Sequence, residues 1–273
     1  PRAPFSDQEI GAIEAYLEQR DGRLLVMVDS SVALGGELDL GGLLSFLRSY
    51  GVQARVDAVG ARVITGFTLT GRKASITELS VPVMPEGYAP HPVAADLGSY
   101  TVQFRWAAPL VAPAPEPQSE LEVGPILTGV SSSWGETSTA RDLRLERYDP
   151  EVDVAGPIVL GMVVGPSSAP GPYGLPVQDT SDMGGLRIIV FGSSLSFVNG
   201  VVDQLPGNLY LALNAVNWLV GKKHLLGIPP KDVDINRLVM SEAQVRTAKW
   251  LFIGLVPAAF VALGTTVWLF RRR

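Results

Sequence analysis

Residues 186–194 read LRIIVFGSS, and this stretch decides the fold class. Four apolar residues follow Arg187 without polar alternation, as expected of a strand covered on both faces. Gly192, Ser193 and Ser194 then stop it in a turn. A matching run, RLLVMVD at 23–29, lies near the start of the chain. Before it, PFSDQEIGAIEAYLEQRDG places Ser6 and Glu9 at capping-box spacing and repeats Ile10, Ile13 and Leu17 at helical spacing. GGLLSFLRSYGVQARV, at 41–56, repeats helix, glycine stop and strand. The order αβαβ predicts an α/β fold, a mostly parallel sheet flanked by helices on both sides.

The middle of the chain, about 60–184, is irregular and β-rich. ARVITGFTL, YTVQFRWA and PIVLGMVVG read as strands, and HPVAADL as one or two helical turns. PLVAPAPEPQ, at 109–118, holds four prolines in ten residues and predicts an extended connector. A Gly/Pro/Ser-rich loop runs through 165–184. After Gly185 the α/β pattern returns, with LSFVNGVV opening one helix and GNLYLALNAVNWLVG forming another. In the latter, Asn208 follows Pro206 and Gly207 where an N-cap belongs. Asn214 and Asn217 share a face and are expected to be clamps bonded to backbone groups of neighbouring loops, the serine turn at 193–196 among them. Trp218 is assigned with them to packing.

Composition narrows the chemistry. Of 273 residues, 47% are hydrophobic and the net charge is −5, with both signs scattered, so no basic face tracks phosphates and nucleic acid is not an expected partner. Cysteine is absent and only His91 and His224 represent histidine, which excludes disulfides, a thiolate nucleophile and Cys/His zinc sites. No metal or cofactor is expected.

At the C-terminus, Trp250 to Phe270 give 21 residues without a charge. At about 1.5 Å per residue this matches the roughly 30 Å hydrocarbon core of a bilayer. Trp250 and Trp268 sit at its ends, Pro257 lies within it, and Arg271, Arg272 and Arg273 close it, against Arg246 and Lys249 on the other side. The reading is a transmembrane helix with a cytoplasmic C-terminus and the bulk of the chain outside. The expected division is an α/β domain over 1–228, a juxtamembrane linker and helix start over 229–246, with Ser241 and Glu242 at the start, and a membrane segment over 247–273. The chain begins at Pro1 without methionine, so an export signal or first span is expected upstream.

Motifs for catalysis are incomplete. Gly192, Ser193, Ser194 and Ser196 give G-x-S-x-S where a nucleophile elbow needs G-x-S-x-G, and a triad has only His91 or His224 as base. Small residues ending a strand beneath a helix explain the turn without chemistry, and its backbone N–H groups remain candidates for a polar ligand. GFTLTGRK, at 66–73, has arginine and lysine where a phosphate loop needs lysine and a hydroxyl. Asp149, Glu151 and Asp153 alternate as in a calcium loop but lack its glycine and distal glutamate. His91 in a His-Pro loop and Trp134 in a Ser/Gly/Thr-rich stretch are candidate contact residues, Trp134 being better explained as a packing anchor.

Several stretches taken in order resemble the GldG-like auxiliary components of ABC-type transport systems, a family associated with gliding motility. They are PFSDQEIGAIEAYLEQRDGRLLVMVDSS, HPVAADL, ILTGVSSSWGET, YDPEVDVAGPIVLGMVV, RIIVFGSSLSFVN, GNLYLALNAVNWLVG, LGIPPK and the apolar segment ending in arginines. The resemblance covers nearly the whole chain. It implies a class I amidotransferase-like sheet without catalytic residues, held at the bacterial cytoplasmic (inner) membrane with its bulk extracytoplasmic. A separate ATPase and a permease would be its partners, together with membrane lipid. The family's turn reads G-D-S-D-F, whereas Gly192, Ser193, Ser194, Leu195 and Ser196 here lack both acids and keep Asn199. The expected function is thus a non-catalytic membrane-anchored accessory subunit. The alternatives are an extracytoplasmic module binding a glycan, peptide or lipid headgroup, and a membrane-tethered serine hydrolase.

Overall fold

In the computed structural model, the described residues are 4–34, 40–67, 73–94, 97–111, 121–137, 148–166, 185–221, 254 and 256–272. The chain divides into two units, Pro1–Ile228 and Pro229–Arg273.

The first unit begins with α1 (Asp7–Gln19), whose capping box forms as its sequence predicts: Glu9 N donates to the Ser6 hydroxyl, and Ser6 N donates to the Glu9 carboxylate at 2.9 Å. Then come β1 (Arg23–Met27), α2 (Ser31–Leu34), α3 (Leu43–Ser49) and β2 (Gln53–Ala54). A long run of strands follows: β3 (Val59–Phe67), β4 (Lys73–Glu78), β5 (Ser80–Val83), β6 (Val102–Arg105), β7 (Leu110–Val111), β8 (Leu121–Thr128), β9 (Ser133–Glu136) and β10 (Val159–Pro166). Finally come β11 (Arg187–Phe191), α4 (Asn199–Val202) and α5 (Pro206–Leu219).

The mostly parallel α/β sheet does not form, and the class I amidotransferase-like fold expected with it is overturned. Among the described residues the protein is β-rich with few long helices, and its strands form three sheets. The largest is mixed, in the order β1-β11-β10-β7-β2 with β8 also on β10. Within it β1 and β11 run parallel, Met27 opposite Phe191, while the pairings of β10 with β11, β8 and β7, and of β2 with β7, are antiparallel. The other two sheets, β4-β3-β9 and β5-β6, are antiparallel. The physical reason is that a continuous apolar run reports burial of both faces, not strand direction. The stretch left irregular in the sequence supplies β3 to β10, and these pair antiparallel, mostly between strands distant in the chain, such as β3 with β9 and β7 with β10.

Burial of β11 is as its apolar run requires. Ile188 and Val190 face one cluster, with Ile10 and Leu17 of α1 and Leu43, Phe46 and Leu47 of α3. Ile189 and Phe191 face the other, with Leu211, Ala215 and Trp218 of α5 and Phe104 of β6. Alternate residues of one strand thus hold two apolar layers together.

In the second unit the described helix is α6 (Val256–Arg271), 16 residues long. The expected membrane span over Trp250–Phe270, and the inner-membrane localisation that rested on it, are overturned. At about 1.5 Å per residue α6 reaches only some 24 Å, short of the roughly 30 Å required. Among the described residues no helix is long and apolar enough to cross a membrane. A count of uncharged residues measures apolarity, whereas crossing also needs helix over that length, and the described helix has 16 residues. Pro257 lies within α6. The Arg272 guanidinium lies 4.8 Å from the centroid of the exposed Trp268 ring, and Arg271 ends the helix. Trp250, Arg273, His224 and all of 229–246, Ser241 and Glu242 included, lie outside the described residues, as do 112–118 of the connector, 68–72 of GFTLTGRK and 167–184 of the Gly/Pro loop.

Candidate functional site

The turn after β11 is the best-tied polar feature of the first unit. Gly192 N donates to the Leu160 carbonyl at 3.0 Å, and its own carbonyl accepts from Ala108 N at 2.7 Å. A Cβ here would stand 2.2 Å from the Ala108 oxygen, so the residue must be glycine. The buried Ser193 hydroxyl donates to the Arg105 carbonyl at 2.7 Å, and the buried Ser196 hydroxyl accepts from Arg105 N at 3.0 Å. Both backbone groups of Arg105 are therefore held by the serine turn.

That grip explains a strained neighbour. Trp106 has φ +54°, a left-handed conformation that a bulky side chain rarely adopts. Its N–H is fixed on the Leu79 carbonyl at 2.9 Å, and Ala107 forms a bridge with Asp29. With the flanks over-determined, a cost of about 1–3 kcal/mol is tolerated.

Ser194 is held from the other side. Its N–H and its hydroxyl donate to the two oxygens of Asp29, at 2.7 and 2.6 Å. Asp29 follows β1 and Ser194 follows β11, so the parallel pair ends in a charge-assisted clasp. Replacing Asp29 with alanine is expected to lower the stability of the domain by about 2 kcal/mol, because two partly buried donors lose their acceptor. Urea denaturation of the wild type and the variant measures this; a difference below about 0.5 kcal/mol would make the clasp incidental.

Asn208 completes the assembly, in a role different from the one its position predicts. The N-cap of α5 is Leu205, which offers no side-chain cap, and Pro206 opens the helix. Asn208, fully buried, instead accepts from Gln103 N at 3.0 Å and donates to the Gln103 carbonyl at 2.9 Å and to the Ser196 carbonyl at 2.8 Å. The serine-turn contact expected of Asn214 and Asn217 thus falls to Asn208. Asn214 Nδ2 reaches the Val93 carbonyl at 3.4 Å, and Asn217 is half-buried. Asn199 begins α4 on the exposed side.

His91 belongs to a second cluster, at the other end of α5. Its Nδ1 accepts from Val93 N at 3.2 Å, and its ring meets the edge of Trp218 at 4.9 Å. The buried Arg187 lies 5.1 Å from the centroid of the same indole and donates to the Trp218 carbonyl at 2.8 Å. Asn208, which holds the serine turn, precedes Trp218 by ten residues, or about 15 Å of helix. His91 is therefore not the base of Ser194, whose hydroxyl is committed to Asp29.

Burial, with the Arg187 charge adding to it, lowers the His91 pKa from 6.5 to about 4. The unfolded chain protonates near the ordinary value and the folded one only near 4, so stability is complete above pH 6.5 and declines as pH falls toward 4. The loss between pH 7.5 and 5 is expected to be about 2 kcal/mol. Glu9 and Asp57, whose carboxyls are lowered by their Ser6 and Arg55 hydrogen bonds, lose their contributions only at lower pH. Denaturation curves at the two pH values test this, with His91→Gln expected to flatten the difference; an unchanged slope in that variant would assign it elsewhere.

The remaining sequence candidates are structural. Trp134 is buried on β9 and its Nε1 donates to Glu136 at 3.2 Å, so it anchors packing and presents no binding surface. The Asp153 carboxylate accepts from Thr137 N and Asp149 N, and Asp149 accepts from Glu151 N. These acids thus cap backbone groups, and among the described residues no group of three or more acids or histidines is placed to hold a metal ion. Sequence reasoning missed Asp29, Arg187 and Gln103. The first two carried a signal, a charge at one end of an apolar run; Gln103 acts only through its backbone and carried none.

Together the fold and site define a β-rich domain whose polar turn is consumed in internal hydrogen bonds. No family model matches the chain, and no curated protein matches it. Among solved structures it is similar to the "mmIFT52 N-terminal domain", at 16% identity and a TM-score of 0.46, over 80% of this chain and 73% of that one.

Proposed function

We propose that this chain is a non-catalytic accessory component of an ABC-type transport system, acting beside a separate ATPase and a permease. One observation carries the non-catalytic part: Ser194, the residue a hydrolase would need free, gives both its N–H and its hydroxyl to Asp29. His91, held neutral against Trp218 near the far end of α5, is not in position to activate it. The ordered motifs from PFSDQEIGAIEAYLEQ to LGIPPK support the transport-system part. The role falls to residues 1–228, which hold those motifs up to the start of LGIPPK at 226–231, and it is proposed without the C-terminal span.

Affinity purification of the tagged chain from detergent-solubilised cells of its source should bring down an ATPase and a multi-span permease. Recovery of the chain without either would count against the transport role. Hydrolysis of a panel of esters and amides that vanishes in Ser194→Ala would overturn the non-catalytic one.

A further inference from the structure

Of the five asparagines in the chain, only Asn199 is followed by glycine. Asn199 and Gly200 open α4, and both are exposed. Among the described residues no hydrogen bond engages the Asn199 side-chain amide. The Gly200 N–H is also unbonded there, because Val201 N and Val202 N both donate to the Val198 carbonyl and α4 has no side-chain cap. A Cβ on Gly200 would meet nothing within 4 Å and its φ is not left-handed, so neither packing nor backbone conformation calls for glycine. What the missing Cβ leaves is open access to the Gly200 nitrogen. The other asparagines differ. Asn208 precedes Leu209 and is held by three hydrogen bonds, buried Asn214 precedes Ala215, half-buried Asn217 precedes Trp218, and Asn236 precedes Arg237.

We propose that Asn199 and Gly200 form a site of spontaneous covalent modification, at which the chain converts its own asparagine to isoaspartate and aspartate with water as the co-reactant. Base takes the Gly200 N–H proton, and the nitrogen attacks Asn199 Cγ. The bond from Gly200 N to Cγ forms, the bond from Cγ to Nδ2 breaks, and Nδ2 leaves as ammonia after taking a proton from water. A five-membered succinimide remains. Water then opens the ring: addition at the Asn199 main-chain carbonyl carbon gives isoaspartate, and addition at Cγ gives aspartate. Nothing is oxidised or reduced, and either product carries one new negative charge. Ring closure requires Asn199 to leave its helical ψ. Opposing this are the two bonds to the Val198 carbonyl, at 2.8 and 3.0 Å, of a helix four residues long, and so short a helix opens readily. Isoaspartate routes the main chain through the side-chain methylene and so lengthens it three residues after Ser196, whose hydroxyl and carbonyl hold Arg105 and Asn208. The modification therefore loosens the serine turn.

Incubation of the folded full chain at about pH 7, 8 and 9, followed by peptide mass spectrometry with fragmentation, tests it. A gain of about 1 Da, ammonia lost and water added, should appear at Asn199 about tenfold or more faster than at any other asparagine. The rate should rise roughly tenfold per pH unit, because the deprotonated nitrogen is the nucleophile. Both isomers should form and separate on chromatography. Asn199→Gln, which would need a six-membered ring, and Gly200→Ala, whose methyl enters open space, should each slow the change about tenfold or more with far-UV circular dichroism unaltered. In the modified fraction, hydrogen exchange should speed at the Arg105 and Gln103 amides. An Asn199 that stays intact at pH 9 while another asparagine gains the mass overturns the proposal. So does a rate that Gly200→Ala leaves unchanged, or formation of aspartate alone, the product of direct hydrolysis. Unchanged exchange at Arg105 and Gln103 overturns the loosening of the turn.

Discussion

Asn208→Ala is expected to destabilise the domain by about 3–5 kcal/mol, the largest effect of any single side-chain truncation proposed for this protein. The amide is fully buried and makes three hydrogen bonds, two to Gln103 and one to the Ser196 carbonyl. Truncation strands one backbone N–H and two carbonyls, the Ser196 carbonyl buried and the Gln103 groups part-buried, and each orphaned group costs about 1–3 kcal/mol. Asn208→Asp discriminates the mechanism. A carboxylate can still accept from Gln103 N but cannot donate to either carbonyl, so it should recover little of the loss. For a domain of this size the shift corresponds to roughly 10 °C or more in Tm. Calorimetry or urea denaturation reads it directly, and a cost below about 1 kcal/mol would show that the amide is not the clamp between α5, β6 and the serine turn.

Gly192→Ala carries the second-largest effect, about 3 kcal/mol or more. An added methyl would meet the Ala108 oxygen at 2.2 Å, and that atom is backbone, so no rotamer change relieves the clash. The chain on either side has little freedom to retreat, because Gly192 is bonded to Leu160 and Ala108. The strain should pass to Ser193 and Ser194, loosening the Arg105 grip and the Asp29 clasp. Hydrogen exchange should therefore speed at the Ser194 and Arg105 amides more than in α1. Uniform protection together with unchanged Tm would mean that the turn relaxes freely.

Much of the local structure was legible in the sequence. Ser6 and Glu9 announce the start of α1 because both halves of a capping box lie within one turn. RIIVF reads correctly as a strand covered on both faces, because a solvated face would demand polar alternation. What did not follow was direction. An apolar run has the same composition beside a parallel or an antiparallel neighbour, and β10 chose the antiparallel one. The C-terminal run misled in a related way, since uncharged composition over Trp250–Phe270 does not state helix length, and among the described residues no helix is long and apolar enough to cross a membrane.

The candidate site divides along the same line. Gly192 and its serines stand out as a strand-ending turn by residue type alone, and Asn208, Asn214 and Asn217 stand out as amides in an apolar helix. Their partners do not, because Asp29, Arg105 and Gln103 lie 165, 88 and 105 residues from the groups they hold. By itself the sequence determined where α1 begins and that β1 and β11 are strands covered on both faces, the absence of cysteine and of a phosphate loop, and which polar residues are set in apolar surroundings. Those properties depend on contacts a few residues apart and on composition. Only the tertiary structure decided that Ser194 is spent on Asp29, that His91 stays neutral against Trp218, and that Asn208 ties α5 to β6 and the serine turn. Each depends on which distant groups share a small buried volume, a matter of long-range packing that no local pattern encodes.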